Sequence, residues 1–170
     1  MLGYIKRIDK KVINCVTSWQ RPLFSKFLLP FTKLGSLGII WLLISLPMLM
    51  NENSRKAGTK TIVAVLVTGV LGEVFIKNLA KRTRPSRYIE NQDMLIKKPI
   101  TYSFPSGHTS SSVACAIVIS SLYPCMIIPV SILAFLVSFS RLYFKVHYPS
   151  DILAGALLGI ICAVFIVNLF

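Results

Sequence analysis

The chain has 170 residues, a one-domain length, and 54% of them are hydrophobic with a mean hydropathy of +0.68. That composition lies above a soluble globular mix and excludes a disordered tail or an ordinary water-soluble domain, so the expected solvent is a bilayer. Lys and Arg number 19 against 6 Asp and Glu, a net charge of +13; these cations bracket apolar runs without forming one basic face, so the expected anionic partner is lipid headgroups and no nucleic acid.

Residues 1–33 come first. Lys6, Arg7, Lys10, Lys11, Arg21, Lys26 and Lys33 are interleaved there with Ile5, Ile8, Val12, Ile13, Val16, Trp19, Phe24 and Phe27. That pattern predicts one or two amphipathic helices lying on the membrane surface. Lys10 and Lys11 interrupt the apolar core a secretory signal needs, so the segment is expected to be retained.

Five apolar runs follow, at about Leu34–Met50, Thr61–Ile76, Ser110–Leu122, Met126–Phe139 and Ile152–Phe170, with Pro124 and Pro149 marking breaks. The predicted fold is all-α: a single domain over 1–170, a multi-pass membrane helical bundle of about five transmembrane helices at 34–170, preceded by the interfacial segment 1–33. Cys15, Cys115, Cys125 and Cys162 show no metal-binding spacing and are expected to be small apolar fillers.

With five spans, the loop after the second and the loop between the fourth and fifth emerge on one side. Where the second run ends, Lys77, Lys81 and Arg84 fall at i, i+4 and i+7, one face of a helix if the helix continues to the break before Pro85. That face suits an anion; a basic collar at the headgroups is the bland alternative. Glu73, the one acid inside a predicted span, is expected to tether Lys77 at i, i+4.

Next, Phe104-Pro105-Ser106-Gly107-His108 leads directly into the third run. A helix N-terminus there offers free amides and a positive dipole end to a phosphate, although an ordinary serine cap reads the same way. Last comes Ser140-Arg141-Leu142-Tyr143-Phe144-Lys145-Val146-His147-Tyr148-Pro149-Ser150-Asp151. A helix starting near Pro149 would set the Asp151 carboxylate against one nitrogen of His147, fixing its tautomer and freeing the other nitrogen as a nucleophile. The chain's two histidines and its cations are thus expected at one membrane face, where phosphoryl transfer needs charge neutralisation, an in-line nucleophile and an acid.

The three segments, K-x6-R-P at Lys77 to Pro85, P-S-G-H at Pro105 to His108 and S-R-x5-H-x3-D at Ser140 to Asp151, together resemble the type 2 phosphatidic acid phosphatase (PAP2) superfamily. The resemblance implies a metal-free, cofactor-free lipid phosphatase. In it His147 attacks phosphorus to give a phosphohistidine, Asp151 orients His147 and His108 protonates the leaving oxygen. Lys77, Arg84, Ser106, Gly107 and Arg141 would hold the phosphate.

Lys81 and Arg82, in the variable part of the first motif, are candidates for a second phosphate. The superfamily acts on undecaprenyl diphosphate, phosphatidylglycerophosphate, phosphatidic acid and phosphorylated lipid A; the short loops, small size and Leu34-Gly35-Ser36-Leu37-Gly38 entry to the first run are similar to its small bacterial members, a resemblance that places undecaprenyl diphosphate first and a glycerophospholipid phosphate second. Two further classes are a lipid-binding membrane scaffold or transporter, and a vanadate peroxidase, which the apolar spans disfavour. In this topology only Arg55, Lys56 and Lys60 lie opposite the site, so 19 − 3 = 16 cations share its side. That count favours a cytoplasmic site, whereas resemblance to enzymes that recycle the lipid carrier favours an outward one in the cell membrane. The outward site is the expectation carried forward.

Overall fold

The computed structural model describes residues 2–90 and 94–169, and among these there is no strand. In chain order come α1 (Leu2–Ser18), α2 (Pro22–Leu34), α3 (Ile39–Met50) and α4 (Glu52–Gly69). A π-helical stretch (Val70–Ile76) carries α4 into α5 (Lys77–Ala80). After a long loop follow α6 (Gly107–Leu122), α7 (Ile127–Tyr143) and α8 (Pro149–Leu169).

The all-helical membrane architecture is as expected. Three runs are long and apolar enough to cross a bilayer: Glu52–Ala80, Pro124–Tyr143 and Pro149–Leu169. Pro22–Leu34 and Ser36–Met50, bent by 62°, make a fourth if the broken pair is one span. The bend passes through Leu37 and Gly38, both at positive φ, and a Cβ on Gly38 would stand 2.7 Å from Val65 Cγ1.

The run expected as the third span is α6, whose 16 residues reach about 24 Å, short of the roughly 30 Å hydrocarbon core. Its environment is protein: α6 packs against α4, α7 and α8, and Thr109, Ser110, Ser111, Ser112, Ala114 and Cys115 are buried. Serines on this helix bond back to its own carbonyls, as Ser111 Oγ does to Gly107 O at 3.0 Å, so the polar residues cost little where no water reaches. Trp41, fully buried on α3, donates Nε1–H to Ser112 Oγ at 2.9 Å.

The α6–α8 contact depends on glycines. A Cβ on Gly155 would meet Ser106 O at 2.6 Å, and one on Gly159 would meet Ser110 O at 2.5 Å. Spaced four apart, they open one face of α8 to the α6 backbone, the small-residue packing by which membrane helices associate. At the far end Lys60, buried, donates Nζ–H to Val167 O at 3.1 Å and so caps the last turn of α8.

The N-terminal segment divides in two. Helix α1 buries Asp9, Ile13 and Val16, one stripe at i, i+4 and i+7, and exposes Ile5 and Ile8 beside Lys6, Arg7, Lys10 and Lys11, the amphipathic pattern expected of it. Helix α2 is more embedded than an interfacial strip, because it packs on α7 and buries Leu28 and Thr32.

Candidate active site

Three local motifs aim the site residues. The first ends α7: Lys145 takes a left-handed φ of 55°, its N–H reaches Leu142 O at 2.9 Å, and the Val146 N–H reaches Arg141 O at 3.1 Å. This is a Schellman cap with lysine where glycine is usual, and Val146 is fully buried behind it. The turn reverses the chain, so that the His147 N–H also points to Arg141 O, at 3.3 Å. The six-residue spacing from Arg141 to His147 is therefore the length of one helix cap.

The second motif starts α8. Pro149 occupies its first position and Asp151 its third, where the carboxylate reaches back to accept the Tyr148 N–H at 2.9 Å, half of a capping box. The same Oδ2 stands 3.6 Å from His147 Nδ1. The third motif starts α6 at Ser106, whose hydroxyl accepts from Thr109 Oγ1 at 3.0 Å and does not cap the backbone amides. Ser106 N–H donates to Asp151 O at 3.0 Å, tying the starts of α6 and α8 together.

The first sequence motif folds differently from expectation. The helix stops at Ala80, because Lys81 turns left-handed at φ 45° and donates its N–H to Lys77 O at 3.0 Å. Lys77, Lys81 and Arg84 therefore do not share a helical face. Arg84 instead folds inward from the loop, donating Nε–H to Thr101 O at 2.7 Å and Nη1–H to Val146 O at 3.0 Å. Nη1 also lies 2.9 Å from His147 Nε2.

That last contact assigns the tautomer. A guanidinium only donates, so Nε2 is the acceptor and the proton sits on Nδ1, toward Asp151. Burial, with Arg84, Arg141 and Lys77 close by, holds the His147 pKa well below the usual histidine value, so the ring is neutral at neutral pH. Arg84 is pushed down to about 10 by burial, partly offset by Glu73 and Asp151, and stays charged.

The remaining cations close around this nitrogen. Lys77 is buried and pairs with Glu73 at 2.5 Å, the tether expected from sequence. Glu73 also lies where a Cβ on Gly107 would be, 2.2 Å from its Oε1, so its carboxylate sits against the start of α6. Arg141 donates Nη1–H to Thr32 Oγ1, while its Nε, like His147 Nδ1, is buried with no partner among the described residues. His108 Nε2 lies 3.3 Å from both Ser36 Oγ and Thr32 O, with Arg141, His147 and Lys77 within electrostatic reach. Cations and imidazoles at this density are suited to a tetrahedral anion, and the unprotonated Nε2 of His147 lies among them.

Lys77, Arg84, Ser106, Gly107, His108, Arg141, His147 and Asp151 thus meet at one end of the bundle. Arg82, a candidate for a second phosphate, is engaged elsewhere: its guanidinium is 2.6 Å from Asp151 Oδ1 and 2.7 Å from Asp9 Oδ2. Sequence reasoning missed Thr32 and Ser36, which hold Arg141 and His108 from more than 70 residues away.

The profile of the PAP2 superfamily matches residues 57–170. Undecaprenyl-diphosphatase of Sulfolobus acidocaldarius is 35% identical over 122 residues, 71% of this chain and 58% of that protein, so the chain spans little more than half of that relative's length. Among solved structures, Aquifex aeolicus LpxE superposes with a TM-score of 0.76 at 26% identity, over 93% of each chain. A phosphatidylglycerolphosphate phosphatase from Bacillus subtilis superposes at 0.77 and 21% identity, over 97% of this chain and 85% of that one, a likeness of fold.

Proposed function

Since the chain belongs to the PAP2 superfamily, we propose that it is a membrane lipid phosphatase that works through a phosphohistidine on His147 and needs no metal. The observation that carries this reading is the buried, unprotonated Nε2 of His147, turned away from Asp151 and into a cluster of cations. In the reaction the substrate phosphate takes over the Arg84 hydrogen bond, which exposes the Nε2 lone pair in line with the ester or anhydride oxygen. Lys77, Arg84 and Arg141 balance the charge on the equatorial oxygens. The amides of Gly107 and His108 add the dipole of α6.

As the N–P bond forms, positive charge develops on the imidazole and the Asp151 carboxylate stabilises it. His108, which takes up a proton as the phosphate dianion binds among the cations, gives it to the departing lipid oxygen, then takes one from the water that splits the phosphohistidine, returning inorganic phosphate and His147. Glu73, which pairs with Lys77, yields its place to the dianion.

The substrate we assign first is undecaprenyl diphosphate, supported by the resemblance to a named undecaprenyl-diphosphatase, and a glycerophospholipid phosphate second. The site faces outward, where a carrier lipid is recycled. The test is phosphate release from a panel of defined lipid phosphates by purified protein in detergent with a chelator present. Turnover is expected on the prenyl diphosphate and none for His147→Ala; inactivity across the panel would favour a lipid-binding scaffold.

A further inference from the structure

Asp9 is out of place on its helix. Among the cations of α1 it is the one acid, and it is buried at 2% exposure while Lys6, Arg7, Lys10 and Lys11 face outward. Both of its oxygens accept hydrogen bonds. Oδ1 accepts the Ser150 N–H at 3.0 Å, and Oδ2 accepts the Ser150 hydroxyl at 2.7 Å and the Arg82 guanidinium at 2.7 Å. Asp9 therefore caps α8 from another helix, on an amide of its first turn.

Arg82 continues the chain of contacts. Its Nη1 donates to Asp151 Oδ1 at 2.6 Å and to Ser150 Oγ at 2.7 Å, and its guanidinium lies 4.2 Å from the centre of the Tyr148 ring. The planar fork thus bridges two buried carboxylates, a geometry lysine cannot reproduce. With Oδ1 held by Arg82 and Oδ2 by the Tyr148 N–H, the plane of the Asp151 carboxylate is fixed and Oδ2 is left facing His147.

We propose that Asp9 and Arg82 are positioning residues for the reaction at His147: they fix the orientation and the charge of Asp151, which makes α1 part of the catalytic apparatus without touching substrate. The inference rests on the phosphatase reading of the site. Its physical content is electrostatic as well as geometric. Asp9, Arg82 and Asp151 together carry one net negative charge beside the ring; without Asp9, Arg82 neutralises Asp151, and the positive imidazole of the phosphohistidine loses its counter-charge. The same contacts explain why Arg82 is not available to a second phosphate.

The experiment is a double-mutant cycle on the full chain in detergent with Asp9→Asn, Arg82→Lys and the double variant, reading kcat and KM per folded enzyme. Each single change is expected to lower kcat about tenfold with KM within about twofold, and the double variant to be no slower than Arg82→Lys alone, because Asp9 acts through Arg82. Wild-type kcat in either folded single variant, a loss confined to KM, or losses that multiply would overturn the proposal. So would less folded protein with unchanged kcat per folded molecule, the mark of a purely structural staple.

A second readout does not require turnover. The chain has two histidines, so 15N-histidine labelling gives two resolvable imidazoles. His147 is expected to keep its Nδ1–H tautomer in both proteins, since Arg84 still donates to Nε2, with the Nδ1–H proton signal shifted in Asp9→Asn as its contact with Asp151 changes; an unchanged Nδ1–H signal would count against the inference. Wild-type protein inert on every lipid phosphate would instead reject the phosphatase reading, with the imidazole signals still deciding the role of Asp9.

Discussion

At the scale of single residues, the decisive feature is a histidine kept neutral by its surroundings. Burial and three nearby cations depress the His147 pKa, so its neutral form, the one the proposed reaction needs, persists below the ordinary histidine range. The acid limb of kcat/KM is therefore expected below pH ~6.5, the unperturbed histidine value, and a limb at or above it would contradict the assignment. Stability follows the opposite side of the same linkage. Where the unfolded pKa exceeds the folded one, the unfolded state binds more protons below about pH 6.5. Stability is thus expected to fall as the solution is acidified through that value, as thermal unfolding across pH would show.

At the scale of elements, the site is assembled by helix ends. The start of α6 approaches α8 only because Gly155 has no side chain, with Ser106 O at 2.6 Å from where a Cβ would stand. Gly155→Ala is expected to cost about 1–3 kcal/mol of stability by overpacking and to reduce phosphate release by moving Ser106. Gly72→Ala, whose Cβ would find its nearest neighbour at an ordinary 3.5 Å, is expected to leave both unchanged within error. A second test concerns Lys145, held at φ 55° in the cap that aims His147. Lys145→Gly is expected to stabilise the protein by about 0.5–1 kcal/mol with activity retained, as unfolding and turnover measurements would show.

Sequence legibility follows these elements closely. Arg141 to His147 and His147 to Asp151 are distances within one helix cap and one helix start, so their spacing could be read without coordinates. The stop at Ala80 was not legible, since a lysine in the left-handed region carries no signal of its own. Thr32, Ser36 and Asp9 join the site through tertiary contacts more than 70 residues long. The one trace Asp9 leaves in the sequence is an acid in register with Ile13 and Val16, on the apolar stripe of an otherwise cationic helix.

For the whole molecule, the number of spans was the least legible quantity. Hydropathy distinguishes apolar from polar surroundings but not lipid from protein, and α6, which runs from the site end of the bundle to the opposite end, does so largely among its neighbours. Sidedness is a property of the same scale. Lys97, exposed in the loop that carries the site, and Cys125, exposed between α6 and α7, mark opposite ends of the bundle. With an outward site, an impermeant thiol reagent added to intact cells is expected to modify Lys97→Cys and to spare Cys125. Labelling of Cys125 alone would place the site on the cytoplasmic face, in accord with the positive-charge count.

The central claim is that phosphorus is transferred to Nε2 of His147, and an alkaline denaturing quench of enzyme turning over a phosphorus-labelled lipid diphosphate tests it most directly. An acid-labile label is expected on the peptide containing His147, absent in His147→Ala and formed with chelator present. Label on another residue, or turnover by His147→Ala, would contradict it.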